Sequence, residues 1–221
     1  MKRSIIITLI FVCFSKLFSQ ESKTITYPKY WEDQLYLNVT YNILENQPSS
    51  LAPSDVSYGI SLGYIKDIPL NKKNTFALGI GTGYTYDSFS HSLIVNDSFN
   101  YTTSDDVSNN KLKTHNIAFP IQIRWRTSDA TTYSFWRIYA GARLSYNLYN
   151  KHTYIINDID YTYTDLNSYR KFQTALELSV GYGAFNLYTQ YNLNSLYENA
   201  FIDDVSIETR IFKVGLIFYL L

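Results

Sequence analysis

Apolar and polar residues alternate with a period of two in eight stretches of the chain. In 34–44, Leu35, Leu37, Val39, Tyr41 and Ile43 share one face, and Tyr36, Asn38, Thr40 and Asn42 take the other. That period predicts a strand with two unlike faces. The same rhythm predicts strands over 56–66, 75–87, 114–127, 135–148, 171–182, 187–194 and 205–221. Gly, Pro, Asn and Asp punctuate the intervals, as turns require. Pro120 falls inside the fourth strand and cannot donate a ladder hydrogen bond, so a bulge is expected there. No stretch carries a helical period, and no second domain or internal repeat is visible beyond the strand rhythm.

The two rows differ in bulk, and bulk decides which one faces outwards. Each strand carries about five large apolar side chains on one row, so eight strands carry roughly forty, too many for the narrow lumen of an eight-stranded barrel. The opposite row is Gly, Ser, Ala, Asn and Gln with a few charges, which does fit such an interior. The apolar row is therefore expected to meet lipid. A two-sheet sandwich that buries the apolar row is the soluble alternative. The predicted fold is all-β: an eight-stranded, antiparallel, up-and-down transmembrane β-barrel over 34–221.

Loop lengths agree with a membrane barrel. Long connections follow strands one, three, five and seven, and short ones follow two, four and six, the asymmetry of outer loops and periplasmic turns. Tyr30, Trp31, Tyr64, Trp125, Trp136, Tyr182 and Phe185 gather at the short-turn ends, where an aromatic girdle is expected. The last strand, with Phe212, Val214, Leu216, Phe218 and Leu220 on one row, is too apolar for a solvated edge. It is predicted to close the barrel against 34–44.

Composition sharpens this picture. The chain has 22 Tyr and 13 Phe in 221 residues, a bias towards pleated surfaces. Formal net charge is zero, which gives no footprint for nucleic acid. Residues 1–19 have a basic start (Lys2, Arg3), an apolar core over 5–14 and a small residue, Ser19, the pattern of a cleavable secretory signal peptide. Residues 20–33 then form a periplasmic lead. The single cysteine, Cys13, lies within the signal, so the mature chain is expected to lack thiol chemistry. The expected location is the cell outer membrane.

Candidate chemistry is sparse. The inward rows place Arg124, Arg126, Arg137, Arg143, Glu177 and Lys213 in the lumen. They read as a structural network of charges in need of partners, or as the lining of a narrow channel. His91, His115 and His152 fall at or above the outer rim, as solvated loop residues. With Asp87, Asp97 and Asp158 they are candidates for a metal site, and Ser90 or Ser92 beside His91 for a hydrolase. Adjacent positions in a strand point Ser92 away from His91, however. No phosphate loop, zinc-ligand pair or calcium motif is present, so no cofactor, metal or catalytic residue is assigned.

Two resemblances complete the reading. Lys213, Gly215, Phe218 and Leu220 resemble the terminal targeting signal of bacterial outer-membrane barrels. The chain also resembles the PorT-like outer-membrane β-barrel family of Bacteroidetes, on NIAFPIQIRWR (116–126), IYAGARLSY (138–146) and FQTALELSVGYG followed by LYTQYNL. That resemblance implies an eight-stranded outer-membrane barrel, and its namesake takes part in type IX secretion and gliding. The resulting expectation is a non-enzymatic protein with a structural or accessory envelope role. Its expected partners are outer-membrane lipids, the barrel-assembly machinery and secretion-system components. The alternatives are a small lipid-modifying hydrolase at the outer rim and a narrow channel.

Overall fold

A computed structural model describes residues 33–46, 56–71, 73–96, 99–103, 107–127 and 136–220; the signal and the lead, apart from Asp33, lie outside them. In chain order the strands are β1 (Gln34–Glu45), β2 (Tyr58–Pro69), β3 (Phe76–Ser90), β4 (Leu93–Val95), β5 (Tyr101–Thr103), β6 (Ser108–Arg126), β7 (Trp136–Ile156), β8 (Ile159–Thr164), β9 (Phe172–Tyr182), β10 (Phe185–Asn192), β11 (Phe201–Ile202), β12 (Val205–Ser206) and β13 (Arg210–Leu220). Eight of them, β1, β2, β3, β6, β7, β9, β10 and β13, each pair antiparallel with their neighbours in an unbroken ring. Two pairings matter most for closure: β6 with β7, and β1 with β13. The register of the second runs from Leu35 opposite Leu220 to Glu45 opposite Arg210. Each of the eight strands is paired along both edges, so the sheet can sit in lipid without an open edge.

The bulky row faces outwards on every barrel strand. Leu35, Leu37, Val39, Tyr41 and Ile43 are exposed on β1, as are Leu176 and Leu178 on β9 and Phe185 and Leu187 on β10. At the short-turn end, Trp136 stands opposite Tyr182, and Tyr182 opposite Phe185. The Trp136 and Tyr182 rings meet edge-on with centroids 5.6 Å apart. Phe76 opposite Trp125 extends this girdle around the barrel. The turn between β9 and β10 needs only Gly183 and Ala184. Gly183 has a φ of 59°, the left-handed first position of a II′ hairpin.

The inward row is small where a large side chain crosses the lumen. Tyr36 is fully buried, and its ring lies against Gly63 and Gly83; a methyl group at either glycine would collide with it. Asp87 uses the space over Gly59 in the same way.

The strands differ from the expected ones at their outer ends. β6 begins at Ser108 and β7 runs to Ile156, well above the predicted limits of 114 and 148. Both continue as an extended ribbon, to which β8 adds a third strand. A register shift at His115/Asn116 inserts Leu148 into β7 and leaves Leu148 and Tyr149 both outside. Above it the inward parity of β7 changes from odd to even numbers. Asn147 supports this bulge by donating to the carbonyls of His115 and Tyr149 at 3.3 and 3.1 Å. No bulge sits at Pro120, contrary to expectation. Pro120 stays in register with Arg143, and the ladder to β3 lapses only between Ile80↔Ile121 and Gly83↔Ala118. The missing donor is accommodated by two absent bridges, without an extra residue.

Candidate functional site

The lumen is built in tiers of charged side chains. At the short-turn end, Arg124 and Arg126 come from consecutive inward positions of β6 and share one carboxylate, Asp67 of β2. Gln34 accepts a second hydrogen bond from Arg124. All three charged groups are fully buried. The Arg124 guanidinium also lies 3.9 Å from the centre of the Tyr139 ring and 5.2 Å from that of Tyr219. Arg137 enters the same tier, 5.8 Å from the Tyr219 ring. Aromatic faces thus hold cationic charge that one carboxylate cannot neutralise.

Glu177 organises the middle tier. It accepts from Arg143 Nε at 2.7 Å, from Gln122 Nε2 at 2.6 Å and from the Tyr188 hydroxyl at 2.9 Å. Four strands, β6, β7, β9 and β10, are tied through one carboxylate. Arg143 further donates to the Tyr36 hydroxyl at 3.4 Å, which adds β1. Above this, Lys213 of β13 donates to Asp87 of β3 at 2.6 Å, and Asn42 of β1 donates to the same oxygen at 2.9 Å. A run of amides leads on upwards: Gln190 donates to Asn192, Asn192 to Gln173, and Gln173 to the Tyr169 hydroxyl.

The outer mouth is closed by an apolar cap. Phe89, Leu112 and Ile211 at strand tops pack with Leu93, Val95 and Tyr101 from the second outer loop, Leu166 and Tyr169 from the third, and Leu196, Tyr197, Ala200 and Ile207 from the fourth. Burying a side chain of this size contributes about 1.5–3 kcal/mol, so the loops form a folded lid with its own core. The Tyr101 hydroxyl meets Ser168 Oγ at 2.5 Å, and its ring lies 5.4 Å from that of Tyr197. Burial pushes the phenols of Tyr101, Tyr169 and Tyr197 up, and the Asp87 carboxylate adds to the shift at Tyr169.

His91 and His152 lie inside this cap, 2% and 0% exposed, with ring centroids 4.8 Å apart. They are not solvated loop residues. His91 Nδ1 accepts the Leu93 N–H at 3.1 Å, which leaves its proton on Nε2. His152 Nε2 meets Asn110 Oδ1 at 2.7 Å, while Asn110 Nδ2 donates to Leu93 O, so His152 carries its proton on Nε2. Accepting at Nδ1 makes the His91 ring neutral. Burial lowers both, His152 to about 4, and the neighbouring His152 adds to the lowering at His91. His115 stands apart on the outer face, bonded through Nδ1 to the Tyr84 hydroxyl and ringed by Tyr86 and Tyr149.

The structure places Arg124, Arg126, Arg137, Arg143, Glu177 and Lys213 all inward and buried. Gly215 also lies on the inward row of β13, while Phe218 and Leu220 take the outer one. Sequence reasoning missed Asp67 and Asp87 as lumen carboxylates. Asp67 falls one residue past the predicted strand over 56–66 and Asp87 among the candidate metal ligands, yet both continue the odd-numbered inward parity of their strands. The candidate metal set is not assembled: Asp87 holds Lys213, Asp158 is at the exposed tip of the β7–β8 hairpin, and Asp97 lies outside the described residues. Among the described residues no group of three metal-ligating side chains occurs. Ser90 gives its N–H to Ser57 Oγ and its hydroxyl to Asn110 O, the latter at 3.4 Å.

A closed eight-stranded barrel with an apolar belt outside and an ion-paired polar interior is an integral membrane barrel of the outer-membrane class. Residues 18–198 match the family described as outer membrane protein beta-barrel domain, and the chain belongs to that family. The match covers every barrel strand except β13. Similar solved structures include Neisserial surface protein A, at 13% identity and a TM-score of 0.43, over 86% of this chain and 96% of that one. Ail, the attachment invasion locus protein of Yersinia pestis, is 11% identical with a TM-score of 0.35, over 84% and 97%. The N-terminal β-barrel domain of Pseudomonas aeruginosa OprF is 10% identical with a TM-score of 0.35, over 86% and 100%. No curated protein sequence matches the chain.

Proposed function

We propose that this outer-membrane barrel is a non-enzymatic, non-conducting envelope protein that anchors a folded lid at the cell surface. The observation that carries this is the stack of ion-paired tiers beneath the apolar cap: Asp67, Glu177 and Asp87 each tie cations from other strands across the lumen. A conducting pore needs a continuous water path, and a fixed ion pair at each level opposes one. A hydrolase at the rim needs a histidine beside a nucleophile that faces lipid. His91 Nδ1 and His152 Nε2 instead bond within the cap, to the Leu93 N–H and to Asn110 Oδ1. Planar-bilayer recording tests the reading: the refolded protein should leave the bilayer at its background conductance. Discrete, reproducible channel steps would overturn it.

The finer reading rests on the resemblance to PorT-like proteins of Bacteroidetes. It gives the barrel an accessory role in envelope or type IX secretion assembly, with secretion-system components as partners. The exported chain would enter the membrane through the barrel-assembly machinery, which would read Lys213, Gly215, Phe218 and Leu220 on the last strand. Cross-linking in the native membrane followed by co-purification tests this part. Recovery of secretion components is expected, and their absence beside an efficiently cross-linked assembly machinery would refute the accessory role.

A further inference from the structure

The outer face of β3, β6 and β7 carries two ordered rows. Tyr86, His115 and Tyr149 stand side by side on the three strands. The Tyr86 and His115 ring centroids are 5.2 Å apart, and those of His115 and Tyr149 5.7 Å. This is an aromatic belt at the outer membrane boundary, the level where such rings settle. Two residues farther up each strand the row is Ser88, Lys113 and Lys151, with Lys113 directly opposite Lys151. Two residues of a strand tilted by about 40° rise roughly 5 Å, which sets the ammonium groups at the depth of lipid headgroups.

Two like charges directly opposite each other in a sheet repel and destabilise the pair. Both lysines are half-buried, and among the described residues neither forms an ion pair with a carboxylate. The adjacent positions on this face are Ser88 and Thr164, which bring no negative charge. A doubly cationic notch just above an aromatic belt matches one partner class, a phosphate ester carried on a membrane-embedded acyl chain. The tail would run down past Tyr86 and Tyr149 while the phosphate bridges the ammonium groups. We infer that Lys113 and Lys151 form a binding site for the phosphate of an anionic outer-leaflet lipid. The inference rests on the membrane reading above and adds a ligand to it.

The test uses the mature protein refolded into phosphatidylcholine nanodiscs that contain a minority of phosphatidic acid, with retained lipid counted by native mass spectrometry. Wild type should keep phosphatidic acid in preference to phosphatidylcholine. The K113Q/K151Q double variant should lose about tenfold or more of that preference, since each lysine near an anionic surface contributes about 1 kcal/mol. K113R/K151R should retain it, and K73Q at the opposite end of the barrel should match wild type. Equal retention by K113Q/K151Q overturns the site. Displacement of the lipid by equimolar inorganic phosphate would show that the lysines read free phosphate and would overturn the lipid assignment. So would a double variant that loses binding of a soluble sulfated polysaccharide but keeps phosphatidic acid. If K113Q/K151Q does not fold, as read by its gel migration, the wild-type preference should still fall steeply with salt; a salt-independent preference refutes the site. A chain that never enters the nanodisc would instead count against the membrane reading.

Discussion

Asp67→Asn is the sharpest probe of the interior, because one carboxylate compensates two buried guanidinium groups. The replacement keeps the shape of the side chain, so no cavity opens. It removes the negative charge and turns one of the two acceptor oxygens into a donor. One of Arg124 and Arg126 then faces an N–H where it had an oxygen. Removing one member of a buried ion pair costs about 3–5 kcal/mol. That lowers the folded-to-unfolded ratio by a factor of roughly 150 to 5,000. Urea titration in detergent, followed by Trp125 and Trp136 fluorescence and by the heat-dependent gel shift, measures the loss. Because the replacement leaves the surface exposed on unfolding the same, the unfolding slope should not change. Replacing Arg124 and Arg126 by Gln alongside D67N should recover much of the loss, since the stranded charges go too. A D67N protein within about 1 kcal/mol of wild type would refute the view that Asp67 is the lower tier's main counter-charge.

Two further outcomes follow. In the opened cap His91 and His152 should titrate near 6.5, whereas burial holds both lower in the closed cap, His152 at about 4. Between those values the open form binds more protons, so the closed cap weakens as pH falls, by about 2 kcal/mol at pH 5 from His152 alone. Amide exchange at Leu93 and Val95, corrected for intrinsic rates, should rise between pH 7.5 and 5 while the barrel strands stay protected; unchanged protection would refute the neutral pair. A chain ending at Phe212 loses eight of the eleven β13 partners of β1 and the cation that Asp87 holds. It should fail to reach the outer membrane on fractionation, and normal insertion would overturn the closing role of the last strand.

Fold and site were legible to different degrees. The ring of strands was readable because period-two alternation persists in every barrel strand, and bulk alone decides which row meets lipid. The lumen cations were readable from the same parity. Their carboxylates were not, because Asp67 lies one residue past the predicted strand over 56–66, and Asp87, the last residue of the strand over 75–87, reads as a rim metal ligand. Following the odd-numbered row to its end in the third strand, and one step beyond the second, would have found both. The cap was hidden for another reason. Its members come from three loops and three strand tops, and a core assembled from scattered single residues leaves no period. Leu148 was also unreadable, since a bulge changes parity without altering composition. The outer hairpins did leave a trace. Asn157–Asp158 and Asp203–Asp204 are pairs of left-handed residues between β-branched neighbours, as a two-residue I′ turn requires.

The folded lid also limits how the protein's surface can diversify. Loops that merely drape over a barrel can change length and sequence freely under pressure from antibodies, phages or competitors. Here the second, third and fourth loops each contribute buried residues to one shared core, so a change in any one has to be accommodated by the other two. Freedom is left at the tips that the core does not reach, the exposed turns Asn157–Asp158 and Asp203–Asp204. The protein's variable face is therefore expected to be a pair of narrow hairpin ends standing on a conserved lid.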